Sequence, residues 1–168
     1  MPREPKITAT ADSGDLRRAL GTFATGVTVV TCCDAQGRAC GITANSLSSV
    51  SLDPPLVLWN ISRISNSLEA FLNAKVFAIN VLAEHQQELS NHFARSDHRL
   101  FDTVEFTPGP AGVPLLPETL GCFECSTHEI YDGGDHYIIV GRIEQSRWRE
   151  GKPLLFYGGR YAALAGSL

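Results

Sequence analysis

The sequence predicts a mainly β, single-domain fold: a small antiparallel barrel with a few flanking helices. Three observations predict it. Apolar, β-branched runs of strand length outnumber helical patterns. Several of these runs follow one another through short turns rich in Gly and Asp. The alternation of strand and helix that builds a parallel sheet is missing.

Taken in order, Leu16, Ala19, Leu20 and Phe23 recur at helical spacing, with Ser13 and Asp15 placed to cap. Val27 to Cys33 reads as a buried strand, Asp34 to Gly37 as a turn, and the chain through Thr43 as the second arm of a hairpin. Asp53-Pro54-Pro55 stops that pattern, because neither proline donates to a ladder. Leu56 to Ile61 reads as a strand, Ser65 to Asn73 as a helix, Val76 to Leu82 as a strand and Glu84 to Arg95 as a helix with Leu89 and Phe93 inward. Thr107 to Pro117, dense in proline and glycine, reads as loop. Cys122 to Tyr131 and Tyr137 to Gln145 read as strands joined by a turn at Asp132 to Asp135. Leu154 to Tyr157 and Arg160 to Leu164 are short closing segments.

The chain has 168 residues, of which 43% are hydrophobic and 19% charged, a composition that supports one soluble domain with its own core. The expected division is a disordered leader over 1–14 and a folded domain over 15–168. The leader is polar and lacks the apolar stretch of a secretory signal. A net charge of −4 without any Lys/Arg run argues against nucleic acid or an anionic membrane as partner. The five cysteines, an odd number, fit reduced thiols in the cytoplasm. Cys122 and Cys125 spell C-x-x-C. On a strand they face opposite sides about 10 Å apart, too far for a disulfide, so packing in the core stands beside a redox or metal role. His85, His92, His98 and His128 lack metal-ligand spacing and read as structural or solvated. No G-x-G-x-x-G, P-loop or G-x-S-x-G is present.

The chemically informative stretch is Gly41 to Ser67. Thr43, Ser46, Ser48, Ser49 and Ser51 place five hydroxyls in nine residues, with Ala44, Asn45 and Val50 among them. Short hydroxyl and amide groups match the alternating donor and acceptor edge of a flat ring such as a flavin, although a serine-rich surface loop has the same composition. Ser62, Arg63, Ser65 and Ser67 precede a helix, where they suit a phosphate, simple helix capping, or both. Gly134, Asp135 and His136 form a turn from which an imidazole can reach a cleft or serve as a structural donor.

With those residues in place, the sequence resembles the flavin reductase family, the reductase components of two-component flavin monooxygenases. The resemblance runs from about Leu16 to Leu164. Its blocks are Phe23 to Thr31, Thr43 to Ser46 with Ser49 to Pro55, Phe77 to Leu82, Gly134 to His136, and Pro153 to Phe156 with Gly159 to Tyr161. Two positions depart from the family pattern: Leu47 stands where an aromatic is common and Ser48 where threonine is. The resemblance implies an antiparallel six-stranded Greek-key split β-barrel, working as a homodimer. It implies FMN or FAD held by Thr43, Ala44, Asn45, Ser46, Ser48, Ser49, Val50, Ser51 and Asn60, with Ser62, Arg63, Ser65 and Ser67 at the phosphate. It implies NADH or NADPH received by Gly134, Asp135, His136 and Tyr161, with His136 as the catalytic-site residue. The reaction implied is hydride transfer to flavin, supplying a partner monooxygenase. The alternatives are electron delivery to a corrinoid or ferric iron, and a non-catalytic flavin-binding module.

Overall fold

The computed structural model describes residues 13–95 and 100–166. The expected leader lies outside the described residues except for Ser13 and Gly14, and so does His98. Helix α1 (Ser13–Leu20) leads into β1 (Thr25–Gly26), β2 (Thr28–Cys33) and β3 (Ala39–Ala44). Then come β4 (Ser48–Leu52), β5 (Pro55–Ser62), α2 (Leu68–Asn73), β6 (Val76–Val81) and, after a 3-10 turn, α3 (Gln87–Phe93). The loop that follows carries two short strands, β7 (Thr107–Pro108) and β8 (Pro114–Leu115). The chain closes with β9 (Gly121–Gly133), β10 (His136–Trp148), β11 (Leu155–Tyr157) and β12 (Arg160–Ala162).

The fold is mainly β and antiparallel, with few helices. The largest sheet runs β3-β2-β6-β9-β10-β5-β4, every neighbouring pair antiparallel. β1, β11 and β12 form a second small sheet, and β7 pairs with β8. The main sheet therefore has seven strands, not the six expected from the resemblance. The extra strand is β4, within the serine-rich segment before Pro54. It folds back on β5 through the Pro54 turn, with a bulge between Ser49 and Ser51.

Alternation along β5 fixes which side of the sheet is core. Val57, Trp59 and Ile61 are buried while Leu56, Leu58, Asn60 and Ser62 are only partly so. Trp59 and Ile61 join Val30, Phe77, Ile79, Cys125 and Ile139, and α2 covers them with Phe71. Trp59 meets Phe71 edge-on at 4.9 Å between ring centroids. A second cluster at the other end gathers Val27, Val29, Leu82, Phe93 and Leu154. Cys125 lies in the main core, whereas Cys122 packs with Ala78, Val113 and Leu115 on the other side of the sheet. Opposite-face placement of the C-x-x-C pair is thus what the structure has. Burial pushes the Cys122 thiol up to about 11 and the Cys125 thiol to about 12.

Buried Asn80 ties the proline-rich loop to the sheet. Its amide donates to the Val29 carbonyl (3.0 Å) and to Thr31 (3.2 Å), and its oxygen accepts the Leu116 N–H (3.0 Å). Helix α1 is different: Leu16 is 44% exposed, Leu20 67%, and Phe23 just beyond the helix 77%. Its apolar stripe is left largely uncovered by the described residues.

Gly141 lies where β10 shifts register against β9. A Cβ there would stand 2.5 Å from the Phe77 ring and 3.0 Å from the Cys125 Cβ. Gly141→Ala is expected to destabilise the fold by ~1–3 kcal/mol, read as a lowered urea midpoint at unchanged slope.

Candidate functional site

Antiparallel pairing brings the two informative sequence segments together. Across β5 and β10, His136 stands opposite Ser62 and Ile138 opposite Asn60, while across β4 and β5, Ser48 stands opposite Leu58. Paired residues share a face. Ser48, Asn60, Ser62 and His136, far apart in sequence, therefore lie on one face of β4–β5–β10, the one turned away from Trp59.

The hydroxyls on and near this face have distinct roles. Ser46 accepts the Asn60 N–H at 2.9 Å and so locks the β3–β4 connection to β5. Thr43 donates to the Ser90 carbonyl at 2.7 Å, and the Ser90 hydroxyl meets the Tyr161 hydroxyl at 2.8 Å. Ser90 thus joins Thr43 to Tyr161. Sequence reading missed it, although its place between Leu89 and Phe93 on the inward side of α3 was the available signal. Thr28 donates to the Ala44 carbonyl at 2.7 Å, and Asn45 donates to the Thr25 hydroxyl at 3.3 Å. Ser48, Ser49 and Val50 are exposed and Ser51 half-buried.

Asn60 is the most telling residue. Its side-chain oxygen is buried and has no partner among the described residues. A buried amide oxygen without a donor costs free energy. The imide N–H of a flavin ring is a donor of the right kind, so the residues present fit that group.

Ser62, Ser65 and Ser67 shape a tight segment. The Ser65 N–H donates to the Ser62 carbonyl at 3.0 Å, and the Ser65 hydroxyl accepts the Ser67 N–H at 3.2 Å. Ser67 stands at the N-cap of α2 without a side-chain cap bond. Ser65 and Ser67 line an open cleft of about 450 Å³ together with Arg38, Cys40, Phe93 and Leu100. Thr43 to Ser51 and His136 are not in that cleft's wall. Of the expected flavin residues, only Ser65 and Ser67 line the cleft; Ser48, Asn60 and Ser62 lie on the β4–β5–β10 face, and Thr43 and Ala44 lie on β3.

Arg63 is fully engaged. Its Nε donates to the Gly134 carbonyl (2.6 Å), its Nη1 to the Tyr137 hydroxyl (2.7 Å) and its Nη2 to the Asp132 carboxylate. Its guanidinium stacks 4.1 Å from the Tyr137 ring centroid, and its backbone N–H donates to the Asp135 carbonyl at 3.0 Å. It therefore clamps the β9–β10 turn. The Gly134 N–H and Arg63 hold the Asp132 carboxyl below the usual range. Within the turn, His136 Nδ1 meets the Asp135 carboxylate at 2.7 Å, and that contact lowers the Asp135 pKa. Gly134 at φ +80° supplies the left-handed residue the turn needs.

Of the other described histidines, His85 and His92 make contacts within the chain. His85 meets the Glu118 carboxylate at 3.1 Å and His92 the Leu100 carbonyl at 2.5 Å; His128 is exposed on β9. No cluster of metal-binding side chains occurs among the described residues.

The profile of the flavin reductase like domain matches residues 20–165. This chain belongs to that family. It is 47% identical over 150 residues to the FMN reductase (NADH) SmoA of Agrobacterium fabrum, covering 89% of this chain and 85% of that one. It is 42% identical to the reductase component of the flavin-dependent trigonelline monooxygenase of Acinetobacter baylyi, covering 88% of this chain but only 47% of that longer protein. Among solved structures, the Streptomyces globisporus NADH:FAD oxidoreductase SgcE6, in complex with NAD and FAD fragments, superposes with a TM-score of 0.90. Identity there is 37%, covering 96% of this chain and 98% of that one.

Arg63→Met keeps the stem and removes every side-chain donor. The amides of residues 133–136 are then expected to exchange with solvent about tenfold faster, measured by hydrogen exchange with mass spectrometry. Unchanged protection would mean that the backbone alone holds the turn.

Proposed function

We propose that this chain is an NAD(P)H-dependent flavin reductase that reduces FMN or FAD and passes reduced flavin to a partner monooxygenase. The observation that carries the reading is the shared face of β4–β5–β10. It sets an orphaned Asn60 oxygen and Ser48 and Ser62 beside a turn that presents His136. The similarity to flavin reductases over nearly the whole chain supports the same reading.

When bound, a flavin supplies the hydride-accepting ring, and a nicotinamide dinucleotide supplies the hydride. The protein's part is position and electrostatics. Asn60 would hold the ring edge through its unpartnered oxygen, and the β4 hydroxyls and backbone N–H groups would stabilise negative charge on a reduced ring. Ser62, Ser65 and Ser67 offer hydroxyls to a phosphate. Arg63 keeps the turn in place from the other side of the sheet. With Nδ1 held by Asp135, His136 leaves Nε2 for a carboxamide or phosphate of the nicotinamide cofactor. Tyr161 stands behind, joined to Thr43 through Ser90.

The proposal extends to a homodimer built on a six-stranded Greek-key split barrel, with β4 as an added edge strand. Leu20, Phe23, Leu52 (94% exposed) and Ile64 (91%) give a second copy of the chain apolar surface to cover. No described helix is long and apolar enough to cross a membrane. The five free cysteines suit a reducing compartment, in keeping with the cytoplasm.

The deciding experiment is anaerobic addition of NADH or NADPH to the chain with FMN or FAD. Bleaching of the oxidised-flavin absorbance, catalytic in protein, is the expected result; an unbleached spectrum would overturn the reading. Asn60→Leu is expected to weaken flavin binding about tenfold, read by titration calorimetry. His136→Ala is expected to lower NADH-dependent turnover at sub-saturating cofactor while the flavin dissociation constant stays nearly constant. Equal rates for variant and parent would remove His136 from the site.

A further inference from the structure

The β2–β3 hairpin sets Cys32 directly opposite Cys40. The Asp34 N–H donates to the Arg38 carbonyl at 2.9 Å, which makes Asp34–Arg38 a hydrogen-bonded pair. Cys32–Cys40, two residues further along each strand, is a pair of the same kind. Such pairs hold their Cα atoms about 5.5 Å apart with side chains on one face, inside the roughly 4.4–6.8 Å that a disulfide spans. Both side chains belong to the main core: Cys32 is fully buried, and partly exposed Cys40 also lines the open cleft. Cys33 turns the other way, its sulfur 3.3 Å from the Gly112 carbonyl.

We propose that Cys32 and Cys40 form a peroxide-oxidisable dithiol that closes to a disulfide across the hairpin, Cys40 being the attacking sulfur and Cys32 the resolving one. The two thiols differ in the direction this requires. The neighbouring Cys32 thiol holds the Cys40 thiol below its ordinary range, against the opposing effects of burial and the Asp34 carboxylate. The neighbouring Cys40 and burial push the Cys32 thiol up. The partly exposed member of the pair is therefore the more acidic thiol and the buried one the less acidic.

The chemistry balances with hydrogen peroxide as oxidant. The Cys40 thiolate attacks one peroxide oxygen, the O–O bond breaks, and hydroxide leaves to become water. Cys40 is now a sulfenic acid. The Cys32 sulfur then attacks the Cys40 sulfur; the S–O bond breaks as the S–S bond forms, and the Cys32 proton leaves with the departing oxygen as a second water. Two thiols are oxidised and one peroxide is reduced to two waters. Free reduced flavin yields hydrogen peroxide with dioxygen, so the proposed reductase would generate this oxidant itself. That source rests on the proposed function; the dithiol chemistry does not.

The test uses the folded full-length chain, dilute hydrogen peroxide, and neither flavin nor NADH, so its outcome is independent of reductase activity. After quenching by alkylation, trypsin cuts at Arg38, leaving Cys32 and Cys33 on one peptide and Cys40 on the next. The expected product is these two peptides linked, lighter by two hydrogens than their sum and separated again by dithiothreitol. Fragment ions between positions 32 and 33 assign the link to Cys32 without any variant. The link should persist in Cys33→Ser and vanish in Cys32→Ser. Unlinked peptides after peroxide, a link at Cys33, or a link formed only in denaturant would each overturn the proposal.

Discussion

The burial of Trp59 constrains nearly everything else in this protein. A strand has a period of two, so seating Val57, Trp59 and Ile61 in the core turns Leu58, Asn60 and Ser62 to the opposite face with no freedom left. A slip of one residue would bury Asn60 and Ser62 and expose the indole. β10 pairs with β5 in the register that this burial sets, and His136 is delivered opposite Ser62 as a consequence. The candidate site is thus the obligatory other side of a well-packed core strand.

The same alternation explains Arg63. Residues 61 and 63 turn to the side of Tyr137, whereas Ser62 turns to the side of His136. Arg63 meets an aromatic ring, a carboxylate and a carbonyl there, and all of its nitrogens find acceptors or a π face. A cation so engaged holds the turn that carries His136. Several hydroxyls of the serine-rich stretch are likewise committed to the protein: Thr43 to α3 and Ser46 to β5. They fix the local shape of β3 and its connection to β4, while the Asn60 oxygen has no partner among the described residues.

Much of this could be read before any coordinates. Strands β2, β5, β6, β9 and β10 announce themselves as β-branched runs between turn residues, and the separation of Cys122 from Cys125 follows from strand geometry alone. β4 could not be read in the same way. Ser48, Ser49 and Ser51 lack strand propensity, and only pairing with β5 after the proline turn makes them a strand. Helix α2 starts at Leu68 instead of Ser65 because Ser62, Ser65 and Ser67 spend their local hydrogen bonds on a turn. The cysteine motif noticed by spacing proved to be a packing feature. The pair with the more distinctive chemistry, Cys32 and Cys40, has no motif, because its proximity is created by register.

The sequence by itself determined the mainly β antiparallel class, the positions of the turns, the family, and which segments carry polar groups suited to a ligand. These depend on local periodicity and residue chemistry, which need no partner to be expressed. Tertiary structure decided the number of strands in the sheet, the face each side chain occupies, and which distant residues meet: His136 with Ser62, Tyr161 with Ser90 and Thr43, Arg63 with Asp132, Cys32 with Cys40. Those meetings depend on strand order and register, and register is set by the shared core that all the strands must bury at once.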